Sequence, residues 1–422
     1  MAGIYLHVPF CRVRCPYCDF NTYAGIDDRI PAYVDALAVD LRRQLRAWPG
    51  PYPTRTVYFG GGTPSLLPPA AVQRLLDIVR AESAAEDLEV TLEANPGTVD
   101  QRRIEGFLEA GVNRLTLGAQ TFDPALLARL GRLHTVEETR DAVVAARAAG
   151  VQNLNLDLMF ALPDQRLDQW RSDLDEAMAH APEHLSLYNL TIEARTPFAR
   201  EQARGRLTQP DEEVQRAMHE LAWEATASAG MQRYEVSNFA LPGRACRHNR
   251  IYWQGRPWLA IGAGAHGHRP PHAGEEGFGR RWWVVRGVGE YIARVRAERS
   301  TEEDHEVLDR QAAATEALML GLRVAGGLEL APFLQRFGVD PVVAMGAPLR
   351  SALGAGLLTL QDDRLQATEA GEIILDFVIQ QLSAGLDTFL KSGNHDRSKP
   401  GGCNPAESGP MALGAEVAGE MV

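Results

Sequence analysis

Cysteine is scarce in this chain, with five residues among 422. So few exclude a disulfide-stapled scaffold, and 45% hydrophobic content supplies a sizeable core without one. Basic excess is missing as well. The 43 lysines and arginines face 55 aspartates and glutamates, a net charge of −12, which argues against a protein that tracks nucleic-acid phosphates. No stretch approaches the roughly 20 apolar residues that span a bilayer. No basic segment leads into an apolar run near the start, so no signal peptide is expected. A reducing, cytoplasmic setting is the expectation.

What cysteine there is lies concentrated. Cys11, Cys15 and Cys18 form a C-x3-C-x2-C spacing within His7-Val-Pro-Phe-Cys11-Arg-Val-Arg-Cys15-Pro-Tyr-Cys18-Asp-Phe20, whereas Cys246 and Cys403 stand alone. Three thiolates are one short of the four taken by closed tetrahedral zinc or by a fully protein-ligated cluster. A 4Fe–4S cluster on three cysteines leaves one iron open to a non-protein ligand. Zinc completed by His7 and three cysteines buried only for packing are the alternatives.

Over the first 240 residues short apolar runs alternate with longer amphipathic segments. Strands are expected near 4–8, 56–60, 89–94, 114–119, 153–160, 184–191 and 232–237, with helices between them, hence parallel strands with helical crossovers. Ala110-Gly111-Val112 recurs as Ala149-Gly150-Val151 and as Ala229-Gly230-Met231. Each glycine is placed to end a helix in a left-handed cap just before a strand. The spacing fits repeating βα units. Residues 241–300 read as an irregular extension rich in Gly, Trp, Arg and His. Residues 301–385 read as a small winged-helix-like α+β domain that opens on a helix near 301–305 and carries a hairpin near 357–365. Residues 386–422 lack apolar density and read as a disordered tail.

The cysteine loop follows the first strand directly, at the end of the strands where parallel α/β folds bind ligands. The next strand ends in Gly60-Gly61-Gly62-Thr63-Pro64, where main-chain groups are able to approach a ligand closely. Later strand ends carry Glu93, Gln120 and Asp157, with Arg132 beyond. Polar residues from successive units aimed at one rim suit a polar ligand. Cys246-Arg-His248-Asn249-Arg-Ile-Tyr252-Trp253 suits a flat aromatic ligand or a capped loop with aromatic packing. His266 and His268 are metal-capable, and a glycine-supported turn explains them equally.

Taken together these motifs resemble the radical S-adenosylmethionine (SAM) superfamily, and within it the HemN/HemW group of oxygen-independent coproporphyrinogen oxidases and haem chaperones. The resemblance covers roughly residues 1–385. It implies a partial (β/α)6 barrel over 1–240 with a small C-terminal domain. It also implies a 4Fe–4S cluster on Cys11, Cys15 and Cys18, with SAM on the open iron. Tyr5, Tyr17, Gly61, Gly62, Thr63, Glu93, Gln120, Arg132 and Asp157 fall where that family contacts SAM. The oxidases carry a further cysteine two residues after the third, where this chain has Phe20, and an N-terminal extension before the first strand. His248-Asn249-x-x-Tyr252-Trp253 instead resembles the H-N-x-x-Y-W motif of the haem chaperones, which implies haem as cargo and His248 as its contact. The implied partners are haem-accepting proteins such as respiratory cytochromes, with peripheral contact at a membrane and no nucleic acid. Oxidative decarboxylation of porphyrinogen propionates is the rival activity.

Overall fold

The computed structural model describes residues 2–48, 53–272 and 274–392. Six strands, β1 (Ala2–Val8), β2 (Thr54–Gly61), β3 (Ala85–Ala94), β4 (Arg114–Gln120), β5 (Leu154–Phe160) and β6 (His184–Asn189), pair in parallel in that order. Helices α1 (Ile30–Ala47), α2 (Pro69–Glu82), α3 (Gln101–Ala110), α4 (Val136–Ala149), α5 (Leu167–Ala179) and α6 (Glu212–Ser228) follow the successive strands. The expected glycine caps are present. Gly111 and Gly150 close α3 and α4 at φ values of 109° and 96°, and Gly230 follows α6 at 75°. At its other end α4 begins with a capping box of Thr135 and Glu138.

Side chains along these strands alternate in kind. Leu6, Val8, Val57, Phe59, Val90, Leu92, Leu115, Leu117, Leu156, Leu158, Leu185 and Leu187 join one buried apolar core with Leu37, Leu75, Phe107, Val143 and Trp170 of the helices. The residues between them, among them Tyr5, Thr56, Tyr58, Glu93, Asp157 and Ser186, point the opposite way, into a polar lumen. Barrels of this general kind ordinarily fill their interior with branched apolar side chains. Here the apolar packing lies outside the strands instead.

The region read as an irregular extension is regular. Just before it, where one strand was expected over 232–237, stand β7 (Gln232–Arg233) and β8 (Asn238–Ala240), antiparallel to each other. The region itself contains helix α7 (Arg247–Trp253), β9 (Trp258–Ile261), β10 (His266–Arg269), β11 (Gly279–Val284) and helix α8 (Val288–Arg296). Among the described residues the whole sheet has twelve strands, ordered β12-β11-β10-β9-β1-β2-β3-β4-β5-β6-β8-β7. Its last member, β12 (Glu302–Leu308), stands where a helix was expected. This acidic edge strand lacks apolar alternation, and Arg280–Glu302 (2.6 Å) and Arg281–Glu306 (2.8 Å) ion pairs tie it to β11.

The chain divides into two compact units, residues 1–251 with 256–307, and residues 252–255 with 308 onward. The division runs through α7, leaving His248 and Asn249 in the first unit and Tyr252 and Trp253 in the second. The second unit combines helices α9 (Arg310–Arg323), α10 (Leu330–Phe337), α11 (Pro341–Gly354) and α12 (Leu375–Lys391) with a three-stranded sheet. The expected hairpin joins Leu358–Gln361 to Arg364–Ala367 through Asp362 and Asp363, both at positive φ (49° and 61°), as a tight two-residue turn requires. Helix α12 runs beyond the expected tail boundary at 386, because buried Leu386 continues the stripe of Leu375, Val378, Ile379 and Leu382. The rest of the expected tail, residues 393–422 with Cys403, lies outside the described residues.

Candidate functional site

Two loops at the carboxyl ends of β1 and β2 are stapled together by main-chain hydrogen bonds. Gly62 N donates to Val8 O at 2.9 Å and Thr63 N to Phe10 O at 2.8 Å, while Tyr23 N closes the cysteine loop on Pro9 O at 2.7 Å. The glycines are needed for this fit. A Cβ on Gly61, at φ 110°, would meet the His7 ring at 2.4 Å, and one on Gly62 would lie 2.7 Å from Phe10 O.

Cys11, Cys15 and Cys18 are free, half-buried thiols on this loop. Thr63 Oγ1 donates to Cys11 Sγ at 3.6 Å, and Arg132 Nη1 lies 3.7 Å from Cys15 Sγ. Burial pushes the Cys11 thiol up to about 11 and raises Cys18. Among the described residues no three Cys, His, Asp or Glu side chains already converge as they would around a metal. Gathering thiols on a shared loop is what a metal does as it binds and deprotonates them. His7 is not placed as a fourth ligand. Its Nδ1 meets Tyr5 Oη and its Nε2 meets Asn21 O, both at 3.0 Å.

The rim residues come together beside these loops. Glu93 accepts hydrogen bonds from Tyr58 Oη (2.8 Å) and from Gly61 N (3.2 Å). Arg132 donates to Asn95 Oδ1 and, at 3.1 Å, to Gly118 O. Asn95 in turn donates to Thr63 Oγ1 at 3.0 Å. Gln120, at φ 69°, lies over Gly118 at a register shift between β4 and β5. Tyr17 packs on Phe198 at 6.2 Å, and burial raises its phenol. Asp157 accepts from Asn155 Nδ2 at 2.7 Å.

Both lumen carboxyl groups are raised. Burial pushes Glu93 up to about 7, with the Tyr58 bond opposing and the nearby Asp157 adding. Burial pushes Asp157 up to about 6 against its bonds from Ser186 and Asn155. The carboxyls sit only partly exposed between strands, so neutral and charged forms both lie within reach near neutrality.

His248 is elsewhere. It is fully buried, with Nδ1 at 2.7 Å from Thr56 Oγ1 and its ring 5.1 Å from that of Tyr58. Its neighbours Gly3 and Thr56 lie near the starts of β1 and β2, the end opposite the cysteine loop. Burial lowers it to about 3, so it is neutral. Glu89 caps its helix by accepting from Arg247 N (3.0 Å) and His248 N (3.1 Å). The resemblance assigns this ring to haem; in this structure its contacts are Thr56 and Tyr58. His268 is buried against Trp258 at 5.0 Å and His266 is exposed, and neither joins a metal-ligating group among the described residues.

Sequence reading missed Asn95, Gly118, Tyr58 and Asn155. A signal was present, since T-V-Y-F-G, E-V-T-L-E, N-L-D-L and H-L-S-L-Y each alternate polar with apolar. The polar members are the ones facing the lumen.

Comparison with known proteins agrees with this geometry. Residues 5–177 match the radical SAM superfamily and residues 308–373 the HemN C-terminal domain. Heme chaperone HemW of Lactococcus lactis is 34% identical over 369 residues, 87% of this chain and 93% of the relative. HemW of Mycobacterium tuberculosis is 36% identical over 389 residues, covering 90% and 94%. HemW of Escherichia coli is 42% identical over 268 residues, covering 63% and 69%. Among solved structures, coproporphyrinogen III oxidase (HemN) from Escherichia coli superposes with a TM-score of 0.75 at 20% identity, covering 92% of this chain and 90% of that one.

Proposed function

This chain belongs to the HemW family of radical SAM proteins, and from that premise we propose that it is a haem chaperone holding a 4Fe–4S cluster and SAM. Haem is its cargo, passed on to haem-accepting proteins such as respiratory cytochromes. The observation that carries the cofactor reading is the stapled pair of loops, with three thiols on one and three glycines on the other. The donor set fits the group. Cys11, Cys15 and Cys18 supply three soft ligands from one closed loop, while His7 is occupied on both nitrogens and Phe20 stands where the oxidases have a fourth cysteine.

The residues around the thiols have distinct tasks in this reading. Arg132 and the Thr63 hydroxyl supply positive charge and a hydrogen bond beside Cys15 and Cys11, which eases the accumulation of negative charge on thiolates. Gly61 and Gly62 let main-chain groups reach a bound small molecule where any side chain would collide with His7 or Phe10. Glu93 and Asp157 offer acceptors to its amino and hydroxyl groups, with Gln120 and Tyr5 beside them. Tyr17 on Phe198 shields the loop from water. When bound, the cluster and SAM supply one-electron chemistry at a sulfonium, and the protein's part is binding, orientation and exclusion of water.

Anaerobically reconstituted protein tests the reading in one paired assay. Haem titration is expected to give a saturable Soret band, with no conversion of coproporphyrinogen III. Turnover of the porphyrinogen, or the lack of any haem band, would overturn it. Among the described residues no helix is long and apolar enough to cross a membrane.

A further inference from the structure

The H-N-x-x-Y-W segment opens inside the strands, where His248 is fully buried. Its two polar residues are the lower ends of two routes through the lumen. The first begins at Asn249, whose Nδ2 donates to Tyr234 Oη at 3.2 Å. An amide nitrogen only donates, so the Tyr234 oxygen accepts there. The Asn155 Oδ1 beyond His184 only accepts, so a neutral His184 has its proton on Nδ1 and the Tyr234 hydroxyl donates to its Nε2, at 2.9 Å. His184 Nδ1 then donates to Asn155 Oδ1 at 2.6 Å. Asn155 passes the direction on, its Nδ2 donating to Asp157 Oδ1 at 2.7 Å.

Every link in this route points the same way, from the floor of the lumen to the carboxyl group of Asp157. Tyr234 is half-buried and His184 fully buried, and desolvation keeps the phenol protonated and the imidazole neutral, with Arg114 opposing a positive charge on His184 as well. His184 and Asn155 are buried, so reversing either would strand a donor or acceptor there, and aligned bonds of this kind reinforce one another. The second route is shorter. His248 is fixed by Thr56 Oγ1 and presents its ring to Tyr58 at 5.1 Å, and Tyr58 Oη donates to Glu93 at 2.8 Å.

We propose that His248 and Asn249 are positioning residues for the cofactor pocket, holding the Glu93 and Asp157 carboxyls through these two routes. The inference rests on the reading of Glu93 and Asp157 as SAM contacts. It gives the motif a role inside the barrel that requires no contact with haem.

Tyr234→Phe is the sparing test, because it removes one hydroxyl and keeps the ring. The full-length chain is reconstituted anaerobically, its iron and sulfide content and thermal melt are matched to wild type, and SAM binding is read by equilibrium dialysis and by the change SAM makes in the reduced-cluster EPR spectrum. Loss of one aligned hydrogen bond is expected to weaken SAM about fivefold and to alter the SAM-bound spectrum. Combined with Asp157→Asn, its effect is expected to be less than additive, since both changes break one route. Tyr58→Phe combined with Glu93→Gln tests the second route in the same way. Additive effects, or SAM binding unchanged by both phenylalanine variants while Asp157→Asn weakens it, would overturn the relay and leave the cofactor reading standing. A wild-type cluster whose spectrum does not respond to SAM would overturn both.

Discussion

The two ends of the barrel use similar residue types for opposite purposes. At the rim, Glu93, Asn95 and Arg132 stand partly exposed beside the loop of half-buried thiols, and backbone glycines leave room there. At the floor, His248, Glu89 and Thr56 are buried and bonded to one another or to the start of a helix. A glutamate thus appears at both ends, and what separates the two roles is depth and whether a neighbouring backbone stands clear. Chemistry at the rim depends on groups left partly open, whereas stability at the floor depends on groups left no freedom.

The sharpest way to separate the ends is to remove a thiol. Cys18→Ala is expected to abolish retention of iron and labile sulfide after reconstitution, while shifting the urea-unfolding free energy of the apo chain by less than about 1 kcal/mol, as for a half-buried loop residue. A shift of several kcal/mol would break the contrast. Gly61→Ala comes next. It forces a side chain into φ 110° and onto the His7 ring, so SAM binding in equilibrium dialysis is expected to weaken more than tenfold, with about 1–2 kcal/mol of backbone strain. His248→Ala is expected to act in the reverse sense to the cysteine change. It opens a cavity beside Tyr58 and orphans Thr56, which together cost about 2–4 kcal/mol of stability, with iron content after reconstitution as the comparison.

A further contrast lies in pH dependence. The folded chain holds the Glu93 proton to about 7 and the Asp157 proton to about 6, whereas their ordinary values are 4.5 and 3.8. The folded state therefore binds more protons than the unfolded one in that interval, and apo stability falls as pH rises from about 4 to 7. Glu93→Gln should flatten that fall in urea unfolding followed from pH 4 to 8. An unchanged slope would mean the carboxyl is ionised throughout.

Much of this was legible from the residues. Gly111, Gly150 and Gly230 announced the βα period, because a left-handed cap before a strand tolerates little else. The cysteine spacing and Gly60–Gly62 located the rim. The acidic strand at 302–308 was not legible, since its place depends on Arg280 and Arg281 of a partner strand rather than on its own pattern. Residues 241–300 hid short strands among Trp, Arg and His, whose pairing is set by long-range register. The place of His248 was not legible for a related reason. Its local sequence is the same whether the ring meets a ligand or Tyr58, and only the burial of α7 against the first strands distinguishes them.

The reversal of the barrel's interior has a consequence for how the protein tolerates change. Along β2, Val57 and Phe59 serve the helix layer while Thr56 and Tyr58 serve the lumen, and the other five parallel strands keep the same beat. Drift at the helix-facing parity would erode the amount of folded protein in a cell, whereas drift at lumen-facing positions near the rim would alter what that protein holds while its abundance stayed level. A deep mutational scan read for abundance and for cofactor content would show two interleaved profiles, each silent where the other responds.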